Sequence, residues 1–201
     1  MARSLVILLH GVGSCGADLA GLAGHLAPSL PGTAFEAPDA PDAFDLGGPG
    51  RQWFSVAGVT EANRAARIAG ARPALDAALE TLIARHGLSE HPERVALLGF
   101  SQGTIMALDA LGSGRWRPGA IVGFSGRLAT PDPLHPFPGS RVLLIHGSAD
   151  QVIPAAEAEA ARHRLAAAGA DVSAKLLPGL GHTINRDGRE AAAAHLAAVF
   201  A

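Results

Sequence analysis

Arg94-Val-Ala-Leu-Leu-Gly99-Phe100-Ser101-Gln102-Gly103 is the stretch whose reading decides the fold. Its first half is an apolar run without polar alternation, the pattern of a strand buried on both faces, and residues 102–111 beyond it read as a helix. The G-x-S-x-G between them puts a serine on a sharp strand-to-helix corner. Glycines two residues to either side let the backbone pass closely and leave Oγ at the top of the sheet. The same corner places the N–H of Gln102 at a helix N-terminus, where unpaired donors and the helix dipole favour a developing oxyanion. A bare pentapeptide could be a tight turn and nothing more; its position between a buried strand and a helix makes Ser101 a candidate nucleophile.

Working outward, Val, Ile and Leu-rich runs recur at residues 4–10, 120–124 and 141–146, with weaker ones at 33–37 and 171–177. Helical stretches fall at residues 61–86, 155–168 and 189–200; in the first of these Ala65, Ile68, Ala71, Leu75, Ala78, Leu79, Leu82 and Ile83 lie near helical spacing. Strand and helix in alternation predict a doubly wound, mostly parallel α/β sheet with helices on both faces. Residues 38–58, rich in Pro and Gly and without a clear period, form a loop long enough to be functional. Residues 128–140 join two strands in the same way. No linker or repeat interrupts the chain, so a single domain over residues 1–201 is expected.

A serine is a poor nucleophile until an adjacent base, oriented by a third group, takes its proton. Downstream, residues 141–146 run into Gly147-Ser148-Ala149-Asp150, which places Asp150 in a loop at the carboxyl end of a strand. After the last strand, Gly181-His182-Thr183 presents one histidine ahead of the terminal helix. The order Ser101, Asp150, His182 is that of an acyl-transfer triad on this type of sheet. His25, His86, His163 and His195 lie in helices and His91 in a connector; Asp171 begins a strand at the far edge and Asp187 belongs to the last helix. An oxyanion hole needs a second donor from a Gly-rich turn after a neighbouring strand, and the N–H of Val12 in His10-Gly11-Val12-Gly13 is the candidate. Asp18 reads as a helix cap, and Cys15 as a bystander thiol.

Composition excludes other classes. One cysteine in 201 residues makes no internal disulfide and no Cys-type zinc cluster. Sixteen Lys plus Arg against eighteen Asp plus Glu gives no basic field for nucleic acid. No window has the roughly 18 to 20 apolar residues of a membrane span, and the first apolar run is too short for a signal peptide, so a cytoplasmic protein is expected.

Leu9-His-Gly-Val-Gly13 with Asp18, Trp53-Phe54, Gly99-Phe-Ser-Gln-Gly103, His146-Gly-Ser-Ala-Asp150 and Gly181-His182 together resemble the phospholipase/carboxylesterase family of α/β-hydrolases, which includes acyl-protein thioesterases and small bacterial carboxylesterases. The resemblance spans nearly the whole chain. It implies a Ser-His-Asp hydrolase with no cofactor or metal, Val12 and Gln102 as the oxyanion hole, and Trp53, Phe54 and Leu128 near the acyl site; Trp53-Phe54 reads equally as a plug covering the sheet edge, and Leu128 equally as core. Two departures bear on the pocket wall: Ser55 follows Trp-Phe where Asp is frequent, and Thr104 stands where a small Gly or Ala is usual.

The expectation is a serine carboxylesterase acting on short- to medium-chain or small aromatic esters. No segment remains for a large cap or lid, which disfavours a triglyceride lipase. A thioesterase or lysophospholipase with the same residues is the nearest alternative. A hydrolase-fold binding module without turnover is a further one, since fold alone does not prove activity. Self-association as a homodimer is left open.

Overall fold

The computed structural model describes residues 3–201. Among them the chain runs β1 (Ser4–Leu9), α1 (Ala20–Leu26), β2 (Thr33–Glu36), β3 (Asp42–Ala43), β4 (Arg51–Gln52), α2 (Glu61–Arg85), β5 (Val95–Phe100), α3 (Gln102–Gly112), β6 (Ala120–Phe124), β7 (Arg141–Gly147), α4 (Ala156–Ala167), β8 (Asp171–Leu177) and α5 (Arg186–Phe200). Six strands pair in the order β2-β1-β5-β6-β7-β8, every neighbour parallel.

The unbroken apolar run of β1 follows from the two-sided burial of this sheet. Side chains alternate between faces along a strand. Leu5, Ile7 and Leu9 enter a core with Ile68 and Leu75 of α2, Ile105 and Leu108 of α3 and Ala161 of α4. Val6 and Leu8 point the other way, into a second core with Leu22 and Leu26 of α1 and Ala192 and Leu196 of α5. With helices on both faces the interior of β1, Leu5 to Leu9, is wholly apolar, while buried Ser4 at its start has its hydroxyl 2.7 Å from that of Thr33, and each buried Leu, Ile or Val contributes roughly 1.5–3 kcal/mol of transfer free energy.

Strand order fixes where a site can form. From β1 the chain moves outward to β2, then returns to place β5 on the other flank of β1, so the loops leaving the carboxyl ends of β1 and β5 diverge around a crevice. Such a switch in winding direction is where open α/β sheets bind ligands.

The segment at 38–58, expected to be an aperiodic loop, contains the antiparallel pair β3–β4. Its outer strand is tied to the turn after β1: Gly13 N–H donates to the Arg51 carbonyl at 2.8 Å and Arg51 N–H to the Ser14 carbonyl at 2.7 Å. Strands of two residues leave no alternation to read along the chain.

Candidate active site

Ser101 is the N-cap of α3, with φ 52° and ψ −113°. A non-glycine residue at positive φ is held at a cost of about 1–3 kcal/mol by its surroundings, and here the surroundings are specific. The Ser101 N–H donates to the Phe124 carbonyl at 2.9 Å, and the Thr104 hydroxyl donates to the same oxygen at 2.8 Å. A Cβ at Gly103 would lie 1.9 Å from the Leu9 carbonyl oxygen, and one at Gly99 would lie 2.3 Å from the Thr104 nitrogen. The flanking glycines are therefore required because backbone passes where a side chain would stand.

The loops after β7 and β8 are stitched together. Ser148 N–H donates to the Leu177 carbonyl and Ala149 N–H to the Leu180 carbonyl, both at 2.9 Å, while Gly179 N–H donates to the Ser148 hydroxyl oxygen at 2.8 Å. This stitching sets Asp150 against His182, with Nδ1 of the imidazole 2.7 Å from Oδ2 of the carboxylate. The other carboxylate oxygen, Oδ1, accepts the N–H groups of Val152 and Ile153, each at 2.9 Å. Burial pushes the Asp150 carboxyl upward, but the Ile153 N–H, His182 and the Val152 N–H outweigh it and leave its pKa below the ordinary aspartate value. An ionised carboxylate only accepts, so Nδ1 of His182 carries the proton and Nε2 keeps a free lone pair.

Phe100, the residue before Ser101, lies against His182, its ring centroid 5.0 Å from that of the imidazole. The turn after β1 closes the other side. A Cβ at Gly11 would lie 3.1 Å from Phe100 Cδ1 and 3.5 Å from Ser101 Cβ, which places Val12 one residue from contact with the serine. Among the described residues neither the Val12 N–H nor the Gln102 N–H has a hydrogen-bond acceptor. Two free donors therefore flank the serine, the requirement for holding an oxyanion.

For the three acyl-site candidates the burial favours the core alternative. Leu128 is 7% exposed, and its Cδ1 lies 3.3 Å from where a Cβ at Gly112 would be. Gly112 ends α3, eleven residues from the serine, or about 16 Å at 1.5 Å per residue. Leu128 is thus core at the far end of the helix. Trp53 and Phe54 are 2% and 6% exposed and belong to the same core as α2 and α3. The Trp53 indole N–H donates to the His10 carbonyl at 3.0 Å, so the ring braces the turn after β1 from beneath.

Thr104 is also absent from any pocket wall. Its methyl group fills the space over Gly123 and Gly126, where a Cβ would approach to 2.6 and 2.3 Å. Asp18 does cap a helix, from inside: as the third residue of the 3-10 turn Gly16–Leu19 it accepts the Cys15 N–H at 3.2 Å and the Ser14 hydroxyl at 2.6 Å.

Sequence reasoning missed two side chains that build the site. The Gln102 amide brackets the loop before α2, its Oε1 accepting the Trp53 N–H at 2.8 Å and its Nε2 donating to the Phe54 carbonyl at 2.7 Å. The His10 ring, fully buried, accepts the Ala40 N–H at 2.9 Å through Nε2 and donates from Nδ1 to the Gly11 carbonyl at 2.7 Å. Only the apolar company of His10 in the sequence hinted that it is internal. Among the described residues no three His, Cys, Asp or Glu side chains converge as metal ligands, and no helix is long and apolar enough to cross a membrane.

A wholly parallel sheet that bends sharply at a serine after its central strand, with a histidine–carboxylate pair in the two loops beyond, defines an α/β-hydrolase. The family model described as Phospholipase/Carboxylesterase matches residues 1–200, and the chain belongs to that family. Esterase YpfH of Escherichia coli (strain K12) is 34% identical over 196 residues, which cover 97% of this chain and 82% of that protein. The crystal structure of esterase PE8 matches with a TM-score of 0.87 and 38% identity, covering 98% of this chain and 93% of that one. Arabidopsis thaliana SOBER1, with a TM-score of 0.84, 23% identity and full coverage of both chains, shares the fold. The chain is a serine hydrolase of the esterase or thioesterase type.

Proposed function

We propose that the protein is a carboxylesterase that cleaves short- to medium-chain or small aromatic esters through an acyl-enzyme on Ser101. The observation that supports this reading is the 2.7 Å bond from His182 Nδ1 to Asp150 Oδ2, which leaves Nε2 free to act as a base, with Phe100, the neighbour of Ser101, packed against the imidazole. His182 takes the Ser101 proton as Oγ attacks the ester carbonyl, and Asp150 stabilises the imidazolium. The tetrahedral oxyanion is held by the N–H groups of Val12 and Gln102, each donor contributing roughly 2.7–4 kcal/mol in the transition state. His182 then protonates the departing alcohol, and water activated by the same imidazole releases the acid.

The burial of Trp53, Phe54 and Leu128 supports small acyl groups, since these large apolar side chains pack within the protein and leave the acyl chain little depth. The likeness to esterase YpfH and esterase PE8 supports the ester reading. The thioester reading draws on acyl-protein thioesterase 1 of Gibberella zeae, which is 34% identical over 99 residues, 46% of this chain and 42% of that protein. Hydrolysis of p-nitrophenyl acetate and butyrate beside the matching thioesters tests the proposal. Wild type is expected to prefer oxygen esters of two to eight carbons, and Ser101→Ala to lose at least about a thousandfold in kcat while staying folded. Undiminished turnover by Ser101→Ala, or a preference for long-chain thioesters, contradicts it.

A further inference from the structure

Behind Asp150 stands a second imidazole that the triad does not use. His146, the sixth residue of β7, is 2% exposed. Its Nε2 lies 2.8 Å from the Ile153 carbonyl oxygen and 3.2 Å from Oδ2 of Asp150, the oxygen that receives His182. A carbonyl oxygen can only accept, so this Nε2 carries the proton. The contacts close a ring. Ile153 N–H holds Oδ1 of Asp150, the Ile153 carbonyl receives the His146 N–H, and the same nitrogen faces Oδ2.

The ring constrains the rotation of the carboxylate. The peptide nitrogens of Val152 and Ile153 fix only Oδ1, and a carboxylate anchored through one oxygen can still swing the other. His146 limits that swing directly at Oδ2 and, through the Ile153 carbonyl, steadies the donor at Oδ1. Its position is set by the strand and not by the loop: His146 pairs with Leu176 of β8 near the carboxyl ends of the two strands. Rigid supports of this kind fix a reacting group more tightly than loop contacts do.

We propose that His146 is a positioning residue for the hydrolysis, its Nε2–H locking the Asp150 carboxylate in the orientation that His182 requires. The proposal rests on the reading of Ser101, His182 and Asp150 as the triad. His146 acts through Asp150 and touches no substrate atom. A catalytic group displaced by about 1 Å can lose about a hundredfold in rate, so removal of the anchor acts on kcat and not on substrate binding.

The test compares His146→Leu, which removes the N–H, with His146→Gln, whose side-chain amide can reach the place of Nε2. His146→Leu is expected to lose about ten- to a hundredfold in kcat on p-nitrophenyl butyrate with KM within about twofold. It should also weaken the downfield proton resonance of the His182 Nδ1–H bond. His146→Gln is expected to recover most of both. Long-range ¹⁵N–¹H spectra of the wild-type protein should show His146 with its proton on Nε2, a measurement that stands if a variant does not fold. Full kcat in a folded His146→Leu, equal losses in the Leu and Gln variants, or a proton on Nδ1 overturns the proposal. If the triad reading itself is at fault, Asp150→Asn keeps its activity; if only this inference is, Asp150→Asn is inactive while His146→Leu is normal.

Discussion

The side chain of Gln102 reaches back to the Trp53 backbone, accepting its N–H at 2.8 Å, while the main-chain N–H of the same glutamine has no acceptor among the described residues. One residue thus links the start of α3 to the loop that braces His10 and, beyond it, Val12. Gln102→Ala leaves the buried Trp53 N–H and Phe54 carbonyl without partners, each loss amounting to about 1–3 kcal/mol. Chemical denaturation should show a total loss of about 3 kcal/mol. Kinetics on a p-nitrophenyl ester should show reduced kcat although the backbone donor remains. Unaltered stability and rate contradict the clamp.

Thr104 and Gly123 form an interlocked pair. Gly123→Ala places a methyl 2.6 Å from Thr104 Cγ2 and 3.3 Å from Leu144 Cδ2, so it should destabilise by about 1–3 kcal/mol through overpacking. Thr104→Ser removes the opposing methyl and keeps the hydroxyl bonded to the Phe124 carbonyl. The double variant is expected to regain more than half of the loss, as read by a double-mutant cycle of unfolding free energies. Simple additivity contradicts the interlock.

Far from the rim, Asp109 on α3 is held by Nε and Nη2 of Arg72, each at 2.9 Å, by Arg115 at 3.0 Å and by the Thr130 hydroxyl at 2.9 Å. Burial pushes its carboxyl upward, yet Arg72 and Thr130 outweigh burial and hold the pKa below the ordinary value. A lowered native pKa means that the stabilisation is complete above about pH 4, the unfolded value, and fades as pH falls through the native one. Asp109→Asn should therefore cost about 3 kcal/mol at pH 7, the low end for a buried pair because Arg72 and Arg115 remain 27% and 22% exposed. The difference from wild type should shrink below pH 4. A gap that is constant down to pH 2 contradicts this account.

The sheet was legible because burial on both faces leaves long apolar runs in β1, β5, β6 and β7, with polar residues only at Ser4, Arg141 and His146, and Gly99 and Gly103 mark a corner that side chains would block. Asp150 and His182 were legible from chain order. What escaped has a common cause. Leu128 and Trp53 look alike in a sequence whether they line a cleft or fill a core, since both environments select large apolar side chains. The bonds from Gln102 to Trp53 and from His146 to Ile153 join residues 49 and seven positions apart with no periodic signature. The end of α5 differed as well: the helix begins at Arg186, with Asn185 capping the Gly188 N–H at 2.9 Å, three residues before the expected start.

The central claim is that a single serine is made nucleophilic by one imidazole. Labelling with a serine-directed fluorophosphonate, followed by peptide mapping, tests it most directly. The account predicts one label per chain on Ser101, none in Ser101→Ala or in heat-denatured protein, and labelling slowed by at least about a hundredfold in His182→Ala. A label on another residue, or labelling at the wild-type rate without His182, contradicts it.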